Sequence, residues 1–347
     1  MDASFQPFPL FRLPDSLIIY IIRCFNILEL IDFSQCSARC KRFVKSVNHR
    51  IDAVDVSLVP GHNVITLKSG TVGRAFLDFE GPVLVPHPEF SFRQIEYYIF
   101  SVCLAEPFYH CRSETFPALS IIRSMLNFLL DVFNAPAHFN IVPLGINIKD
   151  FFNDIKKCES LVLSGAMSME KHALEWLIEN VKPNGKLMIQ IAAPSSLYIK
   201  EERCQFIDTD VVELIDCASW IRRALFLRLY CRRISLSFCE LTNRDIQDFV
   251  TQWYLSNSTR FEYLEVWWKT FPGEIMFLNV PTVQWNPGRR ARYYNVTPDI
   301  VLDVSKGKDI VRSDKIVATV LMTKASFHFI VWRDPFQPHV GTVVSLH

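Results

Sequence analysis

Three groups of residues in this 347-residue chain combine types and spacings that chemistry could use. His110 and Cys111 are adjacent in "EPFYHCRSE", with Arg112 next to them. A thiol beside a base and a cation is the raw material of an activated nucleophile. Thiol and base must meet across a fold, however, so adjacency alone favours a core cysteine. Cys36 and Cys40 are separated by three residues, with no histidine pair at zinc-finger spacing, and they also read as core cysteines. The third group is "NPGRRARYYN", residues 286–295, where Pro287 and Gly288 break regular structure and Tyr293 and Tyr294 follow the arginines. Forked guanidinium donors beside tyrosines suit carboxylates or phosphates and are enriched in binding hot spots. Arginines paired with nearby acids in a solvated turn have the same composition. Arg289, Arg290, Arg292 and Tyr293 are therefore the candidate target-contacting residues, with that second reading beside them.

Trp267, Trp268, Phe271 and Trp285 could stack on a ligand, yet large aromatics more often fill cores. The chain has no G-x-S-x-G elbow, phosphate loop, H-E-x-x-H or C-x-x-C pair. The expectation is a non-catalytic protein with no catalytic residue, metal or cofactor. A formal net charge of +1 offers no field for nucleic acid, and none is expected as a partner. Ten cysteines and sequons at Asn257 and Asn295 would suit a secreted chain, but "MDASFQPFPLFR" lacks the pattern of a signal peptide. The cysteines sit in apolar runs, as reduced core residues do. Arg23, Arg123, Asp131 and Arg228 interrupt the apolar stretches before the ~20 residues of a membrane span. A soluble protein of the cytoplasm and/or nucleus, without a membrane partner, is expected.

The elements that would position any site begin with "LPDSLIIYIIRCF", residues 13–25. With Pro14 in the first helical turn, 100° steps gather Leu17, Ile21, Cys24, Phe25 and Leu28 on one face. Ile18 and Ile22 widen that face and Tyr20 extends its edge, giving an apolar arc of about 200°, roughly twice that of an ordinary surface helix. Such an arc covers two surfaces. One is supplied by two further short helices: "LELIDFSQC", with Leu30, Ile31 and Phe33, and "SARCKRFVKSVNHR", with Cys40, Phe43, Val44 and Val47. Arg39, Lys41, Arg42 and Lys45 take the opposite, solvated side of the last helix. Three short helices rarely make a self-sufficient core, so the spare face belongs to a partner or to the rest of the chain.

After residue 50 the pattern changes. Strands joined by turns are expected over 53–86, helical character over 91–134 with "ALSIIRSMLNFLLDVF" the clearest stretch, and alternating strands and helices over 138–285. Helices are expected in "MEKHALEWLIENV", "DTDVVELIDCASW" and "LTNRDIQDFVTQWYL", the last N-capped by Thr242 with Asp245 three residues on. "KPNGK", residues 182–186, reads as a helix stop and turn with Gly185 left-handed. "LVLS" at 161–164 aligns with "ISLS" at 234–237 and strand starts recur every 20 to 30 residues, the range of leucine-rich repeats. An ordinary open α/β domain is the alternative. A β meander over 296–332 closes the pattern.

"FRLPDSLIIYIIRCFNILELIDFSQCSARCKRF" resembles an F-box, through its Leu-Pro opening, aliphatic first helix and Ser-x-x-Cys-Lys-Arg-Phe ending. The resemblance implies docking on a Skp-type adaptor and, through it, a cullin-RING ubiquitin ligase. It carries the adaptor-facing role to Leu13, Pro14, Leu17 and Ile21, with Phe25 and Leu30 beside them. Arg39 departs from the family's usual Val. "ESLVLSG", "LTNRDIQDFVTQWYLSNSTRFEYLEV" and "GKDIVRSDKIVATVLMTKASFHFIVW" resemble the F-box-associated region of the nematode F-box family. That implies recruitment of a protein substrate whose identity it does not give. The family's tail commonly has Gly after its Asp, where this chain has Lys315 after Asp314. The expected fold is α+β: a three-helix F-box at 1–50, then an α/β leucine-rich-repeat-like curved domain with β-rich ends at 53–347. The expected function is substrate recognition for a Skp-cullin-F-box ligase, the alternative an adaptor-bound scaffold that directs no degradation.

Overall fold

In the computed structural model, the described residues are 9–47, 51–70, 73–79, 91–95, 98–105, 108–112, 117–194, 196–270, 272–336 and 342–344. They form two compact units, Met1–Ile146 and Asn147–His347.

The first unit opens with a 3-10 turn, Leu10–Arg12, and helices α1 (Asp15–Arg23), α2 (Ile27–Cys36) and α3 (Ala38–Val47). Pro14 is the N-cap of α1, one place before the first turn. Asn26 and Glu29 form a reciprocal capping box at the start of α2, at 2.9 and 2.7 Å. Strands β1 (Ala53–Val59), β2 (His62–Ser69) and β3 (Gly73–Asp78) follow, then β4 (Ser91–Ile95), β5 (Tyr98–Ala105) and β6 (Phe108–Arg112). Helix α4 (Ala118–Phe133) and strand β7 (Ala137–Ile141) complete the unit. The sheet runs β7-β1-β2-β3-β6-β5-β4, with β7–β1 and β3–β6 parallel and the other pairs antiparallel.

Residues 91–112 are thus strands, which corrects the helical expectation for 91–134. "YIFSVCLA" is dense in aromatic and β-branched residues, and these suit a pleated surface better than a helix. The helix is confined to α4, whose bounds match the amphipathic stretch. The three-helix module does not stand apart at residue 50. Lys41 and Lys45 of α3 each reach Asp131 of α4 at 2.7 Å, and the Lys41 ammonium lies 4.9 Å from the Phe128 ring centre. Hydrogen bonds from the two lysines hold the Asp131 carboxyl below its usual range. The basic side of α3 is therefore partly engaged and not wholly solvated.

In the second unit a short α5 (Ile148–Phe152) precedes β8 (Lys157–Ser164), α6 (Lys171–Asn180), β9 (Lys182–Gln190), β10 (Val211–Leu214), α7 (Arg223–Phe226), β11 (Arg233–Cys239), α8 (Asn243–Leu255) and β12 (Tyr263–Trp268). Strands β8 to β12 lie in sequence order and are all parallel. Each step therefore needs a crossover. Strands β13 (Val283–Gln284), β14 (Tyr293–Asn295), β15 (Ile300–Asp303), β16 (Lys308–Val311), β17 (Val317–Met322), β18 (Ser326–Trp332) and β19 (Thr342–Val344) follow. β18, β17, β16 and β13 extend the sheet antiparallel from β12, while β14, β15 and β19 form a small second sheet. Tyr294 and Leu302 of the small sheet pack with Tyr263, Ile330 and Trp332 of the large one in a single buried cluster.

Two local expectations are corrected here. "DTDVVELIDCASW" holds β10 and a 3-10 turn, Ala218–Trp220, in place of a helix; Val212 and Leu214 are fully buried on one side of a strand too short to show its period. "KPNGK" is the first half of β9, and Gly185 is not left-handed. The β8–β9 register slips between Cys158 and Ser160, and a Cβ on Gly185 would meet the Glu159 side chain and come 3.0 Å from its carbonyl oxygen. Glycine serves close approach at a bulge, not a turn. The capping expectation for α8 holds: the Thr242 N–H donates to Asp245 at 2.8 Å and the Asp245 N–H to the Thr242 hydroxyl at 3.3 Å.

Lys315 adopts φ 70° in the β16–β17 hairpin, whose loop closes through Lys315 N–H to the Arg312 carbonyl at 2.9 Å. The left-handed position that glycine fills in the resembled family is filled here by a residue with a Cβ. Lys315→Gly is expected to raise stability by about 0.5 to 1 kcal/mol, since relief of left-handed strain exceeds the added entropy of the unfolded chain. A urea titration checks this: the midpoint rises at constant slope, and a lowered midpoint would refute it.

Candidate protein-docking site

Helix α1 separates its apolar arc into two faces. Ile18 and Ile22 are fully buried, in a core with Leu30, Ile31, Cys40 and Val44. On the other side Leu17 is 49% and Tyr20 68% exposed, one turn apart on the same helix. Pro14 is exposed, and Leu13, Ile21 and Phe25 are half-buried along the border between the faces. Leu30 is fully buried and belongs to the module's own core, so it is not a contact residue in this conformation. Its helix is fixed from within, and a partner would have to unfold it to reach it.

The 3-10 turn is pinned by aromatics. The Phe11 ring stacks on Phe43 and Phe33 at 6.0 and 6.5 Å, and Phe25 meets Phe33 edge-on at 5.6 Å. Arg39 lies over the Phe11 ring at 4.6 Å, a cation–π contact that gives this departure from the F-box pattern a packing role. Leu13 and Pro14 are thereby held at the mouth of α1. Phe11, itself 36% exposed, went unnoticed in the sequence because it lies outside any helical period.

The arginine segment is tied to acids of its own chain, with Arg290 buried, Arg289 half-buried and Arg292 exposed. Arg290 is 0% exposed: its Nε donates to Asp309 at 2.7 Å and its other nitrogens to the carbonyls of Ala291 and Val304, both at 2.9 Å. Its guanidinium also lies 5.2 Å from the Trp332 ring centre. Arg289 reaches the other Asp309 oxygen at 3.2 Å. Arg292 pairs with Asp303 at 2.6 Å; burial raises the Asp303 pKa, but hydrogen bonds from Arg292 and Ser305 override it and hold it at about 2. Tyr293, in β14, is half-buried beneath the Arg292 cation. The three guanidinium groups are spent on the chain's own acids. This is the second reading of the segment, arginines paired with nearby acids, and the Arg289 and Arg290 pairs with Asp309 fasten the small sheet to the large one.

Cys111 is buried, and burial, then the nearby Asp78 charge, pushes its thiol well above the ordinary value. Burial likewise pushes Cys158, Cys204, Cys217 and Cys231 up to about 12. Cys36 is exposed and Cys40 buried, on successive helices. Of the aromatic group, Trp268 is buried and donates to the Leu241 carbonyl at 2.7 Å, Trp267 donates to Glu265 at 2.9 Å and Trp285 to the Arg290 carbonyl at 3.4 Å. Phe271 lies outside the described residues. No described helix is long and apolar enough to cross a membrane.

Among curated proteins, Uncharacterized protein F59B2.8 of Caenorhabditis elegans is 21% identical to this chain, over 97% of it and 80% of that protein. No solved structure matches. Residues 10–52 are matched by the family model of the F-box domain, a fold of three short helices that binds Skp-type adaptors; the module that presents Leu17 and Tyr20 is therefore an F-box domain.

Proposed function

We propose that this protein is the substrate-recognition subunit of a Skp-cullin-F-box ubiquitin ligase. The observation that carries the reading is the bare outer face of α1 on an otherwise closed F-box core, with Leu17 and Tyr20 exposed above fully buried Ile18 and Ile22. Leu13, Pro14, Leu17, Ile21 and Phe25 meet the adaptor, with Tyr20 at their edge. Residues 53–347 act as an F-box-associated, repeat-like domain that holds the target, and the sequence order of parallel strands β8 to β12 supports the repeat reading. The chain contributes no reacting group. It raises the local concentration of the target's lysines near an activated ubiquitin, converting a bimolecular encounter into a local one. Its place is the cytoplasm and/or nucleus, where its buried thiols remain reduced.

The test is purification of the full chain from its own cells. The adaptor and a cullin are expected to co-purify, and at least one co-purifying protein should accumulate when this chain is removed. Adaptor without cullin, or partners whose levels do not change, would leave a scaffold in place of a ligase receptor.

A further inference from the structure

The segment after β12, "PGEIMFL" at 272–278, has no regular structure, yet its main chain is fastened to α8. The Asn243 side-chain amide donates to the carbonyls of Pro272 and Glu274 at 3.1 and 3.3 Å, and the Gln247 amide to that of Met276 at 2.8 Å. Ile275 turns inward and is buried, and the Phe277 ring lies 6.2 Å from that of Phe327. Met276 and Leu278, alternating with these, remain 60% and 84% exposed. Holding a main chain in place while baring two apolar side chains is what a pre-organised contact needs, since the ordering entropy is already spent.

Met276 and Leu278 border a groove of about 600 Å³ that is also lined by Lys306, Lys308, Val320 and Phe327. The turn bearing the lysines is fixed: the Gly307 N–H donates to the Val304 carbonyl at 3.0 Å, and a Cβ there would come 3.0 Å from the Val320 carbonyl oxygen. Lys306 and Lys308 are exposed, and neither has a carboxylate within ion-pair distance among the described residues. Glu274 also lines the groove and pairs with neither. Other lysines of this unit do meet acids, as Lys182 meets Asp208 and Lys186 meets Glu213.

We propose that this groove binds a segment of a partner protein in which two apolar side chains stand next to carboxylates, the former seated against Met276 and Leu278 and the latter on Lys306 and Lys308. This rests on the reading of residues 53–347 as the target-holding domain and names the chemistry of the target. A bilayer fits less well, because the site is concave and two lysines fall short of the four to eight basic residues of typical anionic-lipid patches.

The test selects a displayed library of random twelve-residue peptides against the full chain, held through a terminal tag, and resynthesises the enriched peptide with a fluorophore. Enriched peptides are expected to combine two apolar residues with adjacent Asp or Glu. Binding should fall at least tenfold on Lys306→Glu/Lys308→Glu and on Leu278→Ser, and a peptide with its acids changed to Lys should regain affinity for the charge-reversed protein. Adaptor capture, measured on the same samples, should stay constant, and an unchanged melting transition of the Asn147–His347 unit shows that the variants fold. Enrichment of peptides without acids, equal binding by wild type and variants, tighter binding to phosphatidylserine vesicles, or dimerisation abolished by Leu278→Ser would overturn the proposal. Loss of adaptor capture in the wild type, with peptide binding intact, would instead overturn the ligase reading alone.

Discussion

Leu17→Asp in the full-length chain is expected to weaken capture of a Skp-type adaptor by about a hundredfold or more. Removing a leucine from an interface forfeits about 1.5 to 3 kcal/mol of burial, and a carboxylate left there without a partner adds a desolvation cost. Since about 1.4 kcal/mol is a factor of ten, the two together reach that loss. The substitution leaves the module folded because Leu17 is 49% exposed, whereas Ile18 one residue later is fully buried. Ile18→Asp and Leu30→Asp should therefore unfold the module, detected by loss of its helical signal, while Leu17→Asp leaves that signal unchanged. Pro14→Ala should weaken capture less, since it removes only a small contact and the pre-set entry to α1. Undiminished capture by Leu17→Asp would falsify the docking face.

The wide apolar arc of α1 was legible in the sequence, and one of its two faces is the one the module buries in its own core. Which residue faced which surface was not legible. Leu17 and Ile18 are neighbours separated by 100°, both aliphatic, and only the positions of α2 and α3 decide that Ile18 is inside. Local chemistry was read more sharply than tertiary placement throughout. Thr242 and Asp245 cap α8 because the motif is complete within four residues. Gly185 misled because a glycine at a turn and a glycine at a bulge look alike until the strand opposite, here Glu159, is known. Strands at 91–112 are hard to read for a related reason: the strong helical period of the sixteen residues of α4 follows a segment with no clear period of its own.

The arginine cluster marks the same limit from the side of charge. Composition could show a dense basic group at 286–295, but the acid that absorbs it, Asp309, lies nineteen residues from Arg290 and carries no local signature. Lys306 and Lys308 present the reverse case. Two lysines flank Gly307, no acid among the described residues meets them, and bare Met276 and Leu278 border the same groove.

That contrast sets the second large expected effect. Arg290→Met should destabilise the Asn147–His347 unit by about 3 to 5 kcal/mol, because it strands the Asp309 charge in the interior. For a unit of this size that corresponds to a melting point lower by about 10 °C. The loss is specific to the fully buried pair: Asp309 is 0% exposed and, apart from Arg290, holds only the Arg289 side chain at 3.2 Å and the Thr319 hydroxyl at 3.0 Å. Removing both charges, Arg290→Met with Asp309→Leu, should recover a large part of the loss, since an apolar pair carries no desolvation cost. Arg292→Ala, whose guanidinium is half-exposed, should lower melting much less than Arg290→Met. Calorimetry on the four proteins separates the outcomes. If Arg290→Met melts with the wild type, or if the double variant melts no higher than Arg290→Met, the buried pair is not what fastens the small sheet, and the arginine segment returns to contention as a surface for partners.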